Sequence, residues 1–209
     1  MGVPHRMAIS PEGRLLAWCS LDGSFGVFDL QDRRLVSHVS GHVSATCSVT
    51  WVEDELWVSG DDGTLKRWQV HDGNLTLEHS MQASTSFHLV RVVHGGWAAS
   101  TGEGVLLVSA DGSTIALRLD VGRNIDALEV SSDLRHIAAG ITGEIVVVDM
   151  HRRAIATAAI SSPLVQQIGF LDARSLAFSE ATALKTLQVE HLDYIPFQAL
   201  PEPRHRTTF

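Results

Sequence analysis

Apolar positions in this chain come in short runs broken by turns, and residues Gly41 to Gln69 show the pattern most clearly. A β-branched run ends at Trp51-Val52, and a second ends at Ser59-Gly60. The turn Asp61-Asp62-Gly63 follows, and an alternating segment closes at Trp68. β-Branched and aromatic residues suit a pleated, half-buried surface, so each run predicts a strand. Asp-Gly between two runs predicts a hairpin, because Gly takes positive φ without strain.

The pattern repeats. The closing position of that last strand is Trp68, and its counterparts are Phe28, Val108, Val148 and Leu187, in steps of 40, 40, 40 and 39 residues. Late in the first strand of each group stand Ile9, Trp51, Val92, Val130 and Phe170, in steps of 42, 41, 38 and 40. The turn also recurs, as Asp22-Gly23, Asp62-Gly63, Glu103-Gly104 and Thr142-Gly143, with Ala181-Thr182 in the fifth and most eroded copy. A period near forty is that of a four-stranded propeller blade.

Gly41-His42 and Trp68-Gln69 resemble the Gly-His opening and Trp-Asp closing of a repeat in the WD-repeat β-propeller family, with Gln in place of Asp. Phe28-Asp29 and Val148-Asp149 keep the Asp and lose the Trp. The resemblance implies a hydrogen-bonded structural set of His42, Ser59, Asp62 and Trp68 within one blade. Each member is polar or carries an N–H, and buried polar groups need partners.

The expected fold is all-β, a propeller of about five four-stranded blades in a small or incomplete ring. Blades are expected near residues 5–39, 43–79, 86–119, 124–159 and 164–189, with a proline-containing tail over 191–209. Seven such blades would need about 280 residues. Three arrangements stay open. The ring closes on five blades with Tyr194 to Leu200 as the missing strand; a second chain, a copy or another protein, completes it; or the chain is a piece of a longer one, against which its initial Met argues. Trp51, Trp57 and Trp68 are expected inside, between blades.

Composition narrows the function. The 209 residues are 44% hydrophobic with formal net charge −8, which opposes nonspecific binding to nucleic acid or to anionic membrane. No apolar run approaches the roughly 18 residues of a membrane helix, and MGVPHRMAIS has no long apolar stretch of a signal peptide. The two cysteines, Cys19 and Cys47, read as buried thiols of a reducing compartment, so a cytoplasmic protein is expected. Arg33-Arg34 and Arg152-Arg153 read as solvated turns.

No Gly-x-Ser-x-Gly, phosphate loop or His-Glu-x-x-His occurs, and Gly102-Glu103-Gly104 reads as a turn. The eleven histidines include no pair at metal-ligand spacing. The alternative to a binding protein is a small five-bladed glycosidase or lectin. Such a hydrolase needs two carboxyls about 5–9.5 Å apart. Asp126 and Glu129 lie three apart on one expected strand and so point to opposite faces. The expected function is therefore a non-catalytic protein-interaction scaffold or subunit, with no cofactor and no metal. Its candidate interaction loops hold Ser44, Asp61, Ser84, Ser86, Arg123, Asn124, Gln166 and Gln167. The resemblance implies protein partners, a protease or signalling ATPase among them, with a homo-oligomer or split propeller as further forms.

Overall fold

The structure is a computed structural model that describes residues 4–71, 74–83, 86–93, 96–101, 105–110, 113–118, 125–162, 165, 167–180, 183–197 and 206–207. No α-helix occurs among the described residues. The first sheet is an antiparallel meander of β1 (Pro4–Ile9), β2 (Leu15–Ser20), β3 (Ser24–Asp29) and β4 (Arg34–Ser40). The second repeats it with β5 (Thr46–Val52), β6 (Glu55–Gly60), β7 (Thr64–His71) and β8 (Asn74–Gln82). The third holds β9 (Phe87–Val93), β10 (Gly96–Thr101), β11 (Val105–Ala110) and β12 (Ser113–Arg118). The fourth holds β13 (Ile125–Val130), β14 (His136–Ile141), β15 (Glu144–Asp149) and β16 (Ala154–Ala159). The fifth has β17 (Ile168–Phe170), β18 (Ser175–Glu180) and β19 (Ala183–Gln188).

Turn chemistry explains the repetition. Gly23, Gly63 and Gly143 close the turns between second and third strands at φ 82°, 74° and 79°, where a side chain would be strained. Between third and fourth strands, Arg33 and Arg153 both take φ 52°. The basic pairs thus fall in turns, though Arg34 already begins β4.

The strands gather into two compact units. One contains β1 to β8 with β21 (Arg206–Thr207), the other β10 to β19 with β20 (Ile195–Pro196), and the division falls at Val92–Val93, near the end of β9. In the first unit, Ala17, Cys19, Phe25 and Val27 of the first sheet pack against Val49, Leu56, Val58 and Trp68 of the second. In the other, Ala138, Ile145 and Val147 pack against Ile168, Leu176 and Phe178. Each fully buried Phe, Leu or Val stabilises its unit by about 1.5–3 kcal/mol. Trp51 and Trp68 are buried, and the Trp51 indole donates to the Ala8 carbonyl at 3.1 Å. Trp57 departs from expectation and is only half-buried. It lies on the sheet face opposite Leu56 and Val58, opposite Arg67 in the register, with the Arg67 guanidinium 5.9 Å from its ring centroid.

Among the described residues, the tail does not supply a fourth strand to the fifth sheet, and residues 198–200 of the expected strand lie outside them. A 3-10 turn at Val189–His191 redirects the chain, and β20 pairs instead with β16, Ile195 opposite Ile155 and Pro196 opposite Ala154. Arg152 stands over the Tyr194 ring at 5.6 Å and Arg153 over Phe197 at 6.0 Å. The Phe197 N–H donates to the Arg153 carbonyl at 2.9 Å. Arg152-Arg153 is therefore the seat of the tail as well as a turn. Proline has no N–H for a ladder, which fits a pairing only two residues long. Further on, β21 adds to β8.

Candidate functional site

His42 lies at the mouth of the second sheet, on the loop that enters β5, and Asp62 lies in the turn between β6 and β7. The structure brings them together. His42 Nδ1 is 3.1 and 3.2 Å from the two Asp62 carboxylate oxygens. Asp62 also accepts the Val43 N–H at 3.0 Å, the Thr64 N–H at 3.0 Å and the Thr64 hydroxyl at 2.6 Å. The imidazole is fully buried and rests on Gly60, where an added Cβ would meet Nδ1 at 2.4 Å. The Lys66 ammonium donates to the Gly41 carbonyl and closes the loop from its other side.

Burial pushes the His42 imidazole below its usual value, against the pull of Asp62. Desolvation pushes the Asp62 carboxyl up, but the bonds from Thr64, His42 and Val43 outweigh it and hold the group down to about 2. The pair is thus a neutral imidazole donating Nδ1–H to a carboxylate. The Thr64 hydroxyl also meets Nδ1, at 2.9 Å. A nucleophile–base relay needs nucleophile and carboxylate on opposite ring nitrogens. Here both sit on the same one, so the set fastens a loop.

Ser59 and Trp68 stand differently. Ser59 Oγ, Trp68 Nε1 and His42 Nε2 are all buried, and none has a hydrogen-bond partner in this structure. They form a complementary set of one donor, one acceptor and one group that can do both. The structure joins His42 to Asp62 and does not bond Ser59 or Trp68 to them.

Sequence reasoning missed several members of the same device. Thr64 shares Asp62, and Ser24 shares Asp22 in the same way, with its N–H at 3.0 Å and its hydroxyl at 2.5 Å. The available signal was Asp-Gly followed by Ser or Thr. In the fifth sheet the device is rebuilt from Glu180. Its buried carboxylate accepts the N–H groups of Ser161 and of Ser162, the latter at 3.0 Å, and pairs with Lys185. The Lys185 bond, followed by those from Ser161 and Ser162, holds the Glu180 carboxyl below its usual value despite burial.

The retained aspartates of the first and fourth sheets work at the opposite end of the strands. Asp29 accepts the N–H groups of Gln31 and Asp32 at 2.9 Å and pairs with Arg14 at 2.8 Å. Asp149 accepts the Arg152 N–H at 2.9 Å, with His136 at 3.5 Å and Arg135 at 3.8 Å. Asp126 is half-buried, and burial pushes its carboxyl up. The Glu129 carboxylate accepts the Val130 N–H at 3.1 Å. No group of three or more His, Cys, Asp or Glu at metal-binding geometry occurs among the described residues.

Of the candidate interaction residues, Ser44, Asp61 and Ser86 come together in the first unit. The Asp61 N–H donates to the Ala45 carbonyl at 2.9 Å, and the Ser86 hydroxyl donates to the Asp61 carbonyl at 2.9 Å. The Ser44 carbonyl lies against Gly23 of the neighbouring turn. Gln167 is exposed in the second unit. Ser84, Arg123, Asn124 and Gln166 lie outside the described residues. Two apolar side chains stand out on the clustered loops. Val43 is 97% exposed and Leu21 is 60% exposed.

No family model matches the chain. Protein groucho of Drosophila melanogaster, a WD-repeat protein, is 30% identical over 97 residues, 46% of this chain. The match spans 13% of the length of that protein. Among solved structures, the β-propeller domain of Cps50 (Swd1) from Myceliophteria thermophila superposes with a TM-score of 0.75. That likeness covers 96% of this chain and 71% of the other at 17% identity, and it shows the β-propeller fold.

Proposed function

We propose, for a chain related to the WD-repeat β-propellers, that it is a non-catalytic scaffold that docks partner proteins through the loops of its first unit. One observation carries this. Val43 is almost wholly exposed while its own backbone N–H is held by Asp62, so an apolar side chain is offered to solvent from a fixed backbone. Exposed apolar groups on preorganised backbone bind with little ordering cost. Leu21 and the Asp61–Ser86 contact extend the surface. The partner is a protein, with a protease or signalling ATPase as the class the resemblance implies, and the assembly includes forms in which another chain packs on the sheets. The cytoplasm is the proposed compartment, in keeping with the free, buried Cys19.

The test is cross-linking mass spectrometry from native extract, followed by binding of the identified partner to variants. Val43→Asp with Leu21→Asp should abolish binding, while Leu77→Asp, exposed on β8, should leave it intact. A partner that binds the double variant as well as the native protein would remove this surface from the proposal. Turnover of any substrate by the purified chain would remove the scaffold itself.

A further inference from the structure

Among the described residues, the outer edge of the fourth sheet is only partly occupied. The Phe197 N–H donates to the Arg153 carbonyl at 2.9 Å, and Ile195 stands opposite Ile155. Successive backbone groups of a strand point to alternate edges. Thr157 and Ala159 therefore turn their N–H and C=O the same way as Arg153 and Ile155. Both residues are exposed, and among the described residues no strand meets them on that side. The register carried on would bring residues 193 and 191 opposite them. The tail cannot follow it. β19 ends at Gln188 in the fifth sheet, and the Arg174 carbonyl holds the Val189 N–H at 2.8 Å. The 3-10 turn of Val189–His191 is then closed by the Leu192 N–H on the Val189 carbonyl at 3.3 Å. The tether, not the edge, cuts the ladder short.

We infer that this edge docks an extended segment of a partner protein as an added antiparallel strand, with two aromatic side chains three positions apart set under Arg152 and Arg153. The tail shows the mode of binding in miniature. Tyr194 lies under Arg152 at 5.6 Å and Phe197 under Arg153 at 6.0 Å. The Tyr194 ring also packs on the cluster that holds Val147 and Leu176, and its hydroxyl donates to the Val189 carbonyl at 3.2 Å. In strand addition, main-chain bonds give affinity and side-chain seats give selectivity. Little else holds the tail. Ile195 is 68% exposed, and Pro196 is exposed and has no N–H. Membership of the same chain supplies the rest, as an effective concentration in the millimolar range. A free strand that runs the whole of β16 gains ladder bonds at Thr157 and Ala159, and these let it displace the tail. Charge sets the composition of the entering segment. Arg135 and Arg152 gather beside Arg153 around one buried carboxylate, Asp149, so that end accepts aromatic rings and repels Lys and Arg. The site belongs to the second unit and makes no use of the Val43 loops.

The probe is a fluorescein-labelled peptide of residues 191–197, HLDYIPF, which without its tether matches the edge from Ala159 to Arg153 residue for residue. Fluorescence anisotropy reads its binding to the whole chain. Tyr194→Ala with Phe197→Ala loosens the tail and should bind the peptide about tenfold tighter than the native chain, since the competitor in cis is weakened. Far-ultraviolet circular dichroism checks that this variant is folded. Adding Thr157→Pro should weaken binding about tenfold, because it deletes an outward N–H that neither β15 nor the tail uses. In the native chain Thr157→Pro should leave the Tyr194 titration unchanged. A second measurement needs no variant: about 1 mM peptide should slow amide exchange at Thr157 and Ala159 of the native chain. A loosened chain that binds no tighter than the native one overturns the inference. So does binding indifferent to Thr157→Pro, or exchange at the two amides that the peptide does not move. A native chain at twice the 22.7 kDa mass in light scattering, made monomeric by Tyr194→Ala with Phe197→Ala, would overturn it in favour of the tail of a second copy.

Discussion

Asp62 accepts hydrogen bonds from four donors on three residues, the fully buried His42 imidazole among them. Asp62→Ala should lower unfolding free energy by about 3 kcal/mol, read by urea denaturation, because buried donors left without an acceptor keep their desolvation cost. Thr64→Val removes only the hydroxyl and should cost about 1 kcal/mol. The pH dependence has a definite sign. The carboxyl sits at about 2 in the fold and near 3.9 when unfolded, so its contribution is complete above about pH 4 and is lost as pH falls towards 2. His42 and His136 are held below their ordinary value by burial. Unfolding therefore takes up protons, and stability should already decline below about pH 6.5. The single tyrosine supplies an independent reading of the tail. Burial first, then the Asp149 charge, pushes Tyr194 up to about 12. A spectrophotometric titration should find its midpoint there, against about 10 in the unfolded chain. A native midpoint near 10 would mean that the tail is not seated on Arg152.

At the scale of elements, the glycines inside strands separate close packing from open surface. Gly26→Ala would drive a methyl to 2.6 Å from the Ser37 carbonyl and 2.9 Å from Trp18 and should cost about 1–3 kcal/mol. An added Cβ at Gly169 meets nothing within 4 Å, so Gly169→Ala should be neutral or gain about 0.5 kcal/mol. Thermal melts of the two variants check both signs. Strand positions were legible because each strand is a short apolar run bounded by a turn, and a period near forty repeats that signal. The His42–Asp62 contact was legible for a related reason, since both residues belong to the best-preserved repeat. Glu180 was not. It stands one position ahead of Ala181, the place where Asp62 has its equivalent, so comparison by position finds Ala181-Thr182 and sees erosion. The chemistry survives because a glutamate reaches further than an aspartate and can start from the strand itself. Glu180→Gln keeps the shape and loses the charge, and should raise amide exchange at Ser161 and Ser162 while leaving β5 to β8 unchanged. The seating of the tail on β16 was illegible for another reason. It depends on which edge Tyr194 and Phe197 can reach, and no local pattern encodes that.

For the whole molecule, charge and buried histidine converge on one pH window. The chain carries −8 with histidine neutral, and eleven histidines stand ready to cancel it. Protonating eight of them brings the net charge to zero, in keeping with an isoelectric point near 5.7. Histidines ordinarily charge around pH 6.5, and the fold holds His42 and His136 back by burying them. Self-repulsion thus disappears at the pH where the native state begins to resist protons that the unfolded chain accepts. Exposed Val43, Ile9 and Met7 are then no longer opposed by charge. Light scattering on a descent from pH 7.5 to 4.5 should peak near 5.7 and fall again as the chain becomes cationic. Return to pH 7.5 should recover the soluble protein, since the loss of charge precedes the loss of the Asp62 bonds. Scattering that only climbs below pH 5 would instead assign the association to unfolding, and would place the controlling groups among the carboxylates.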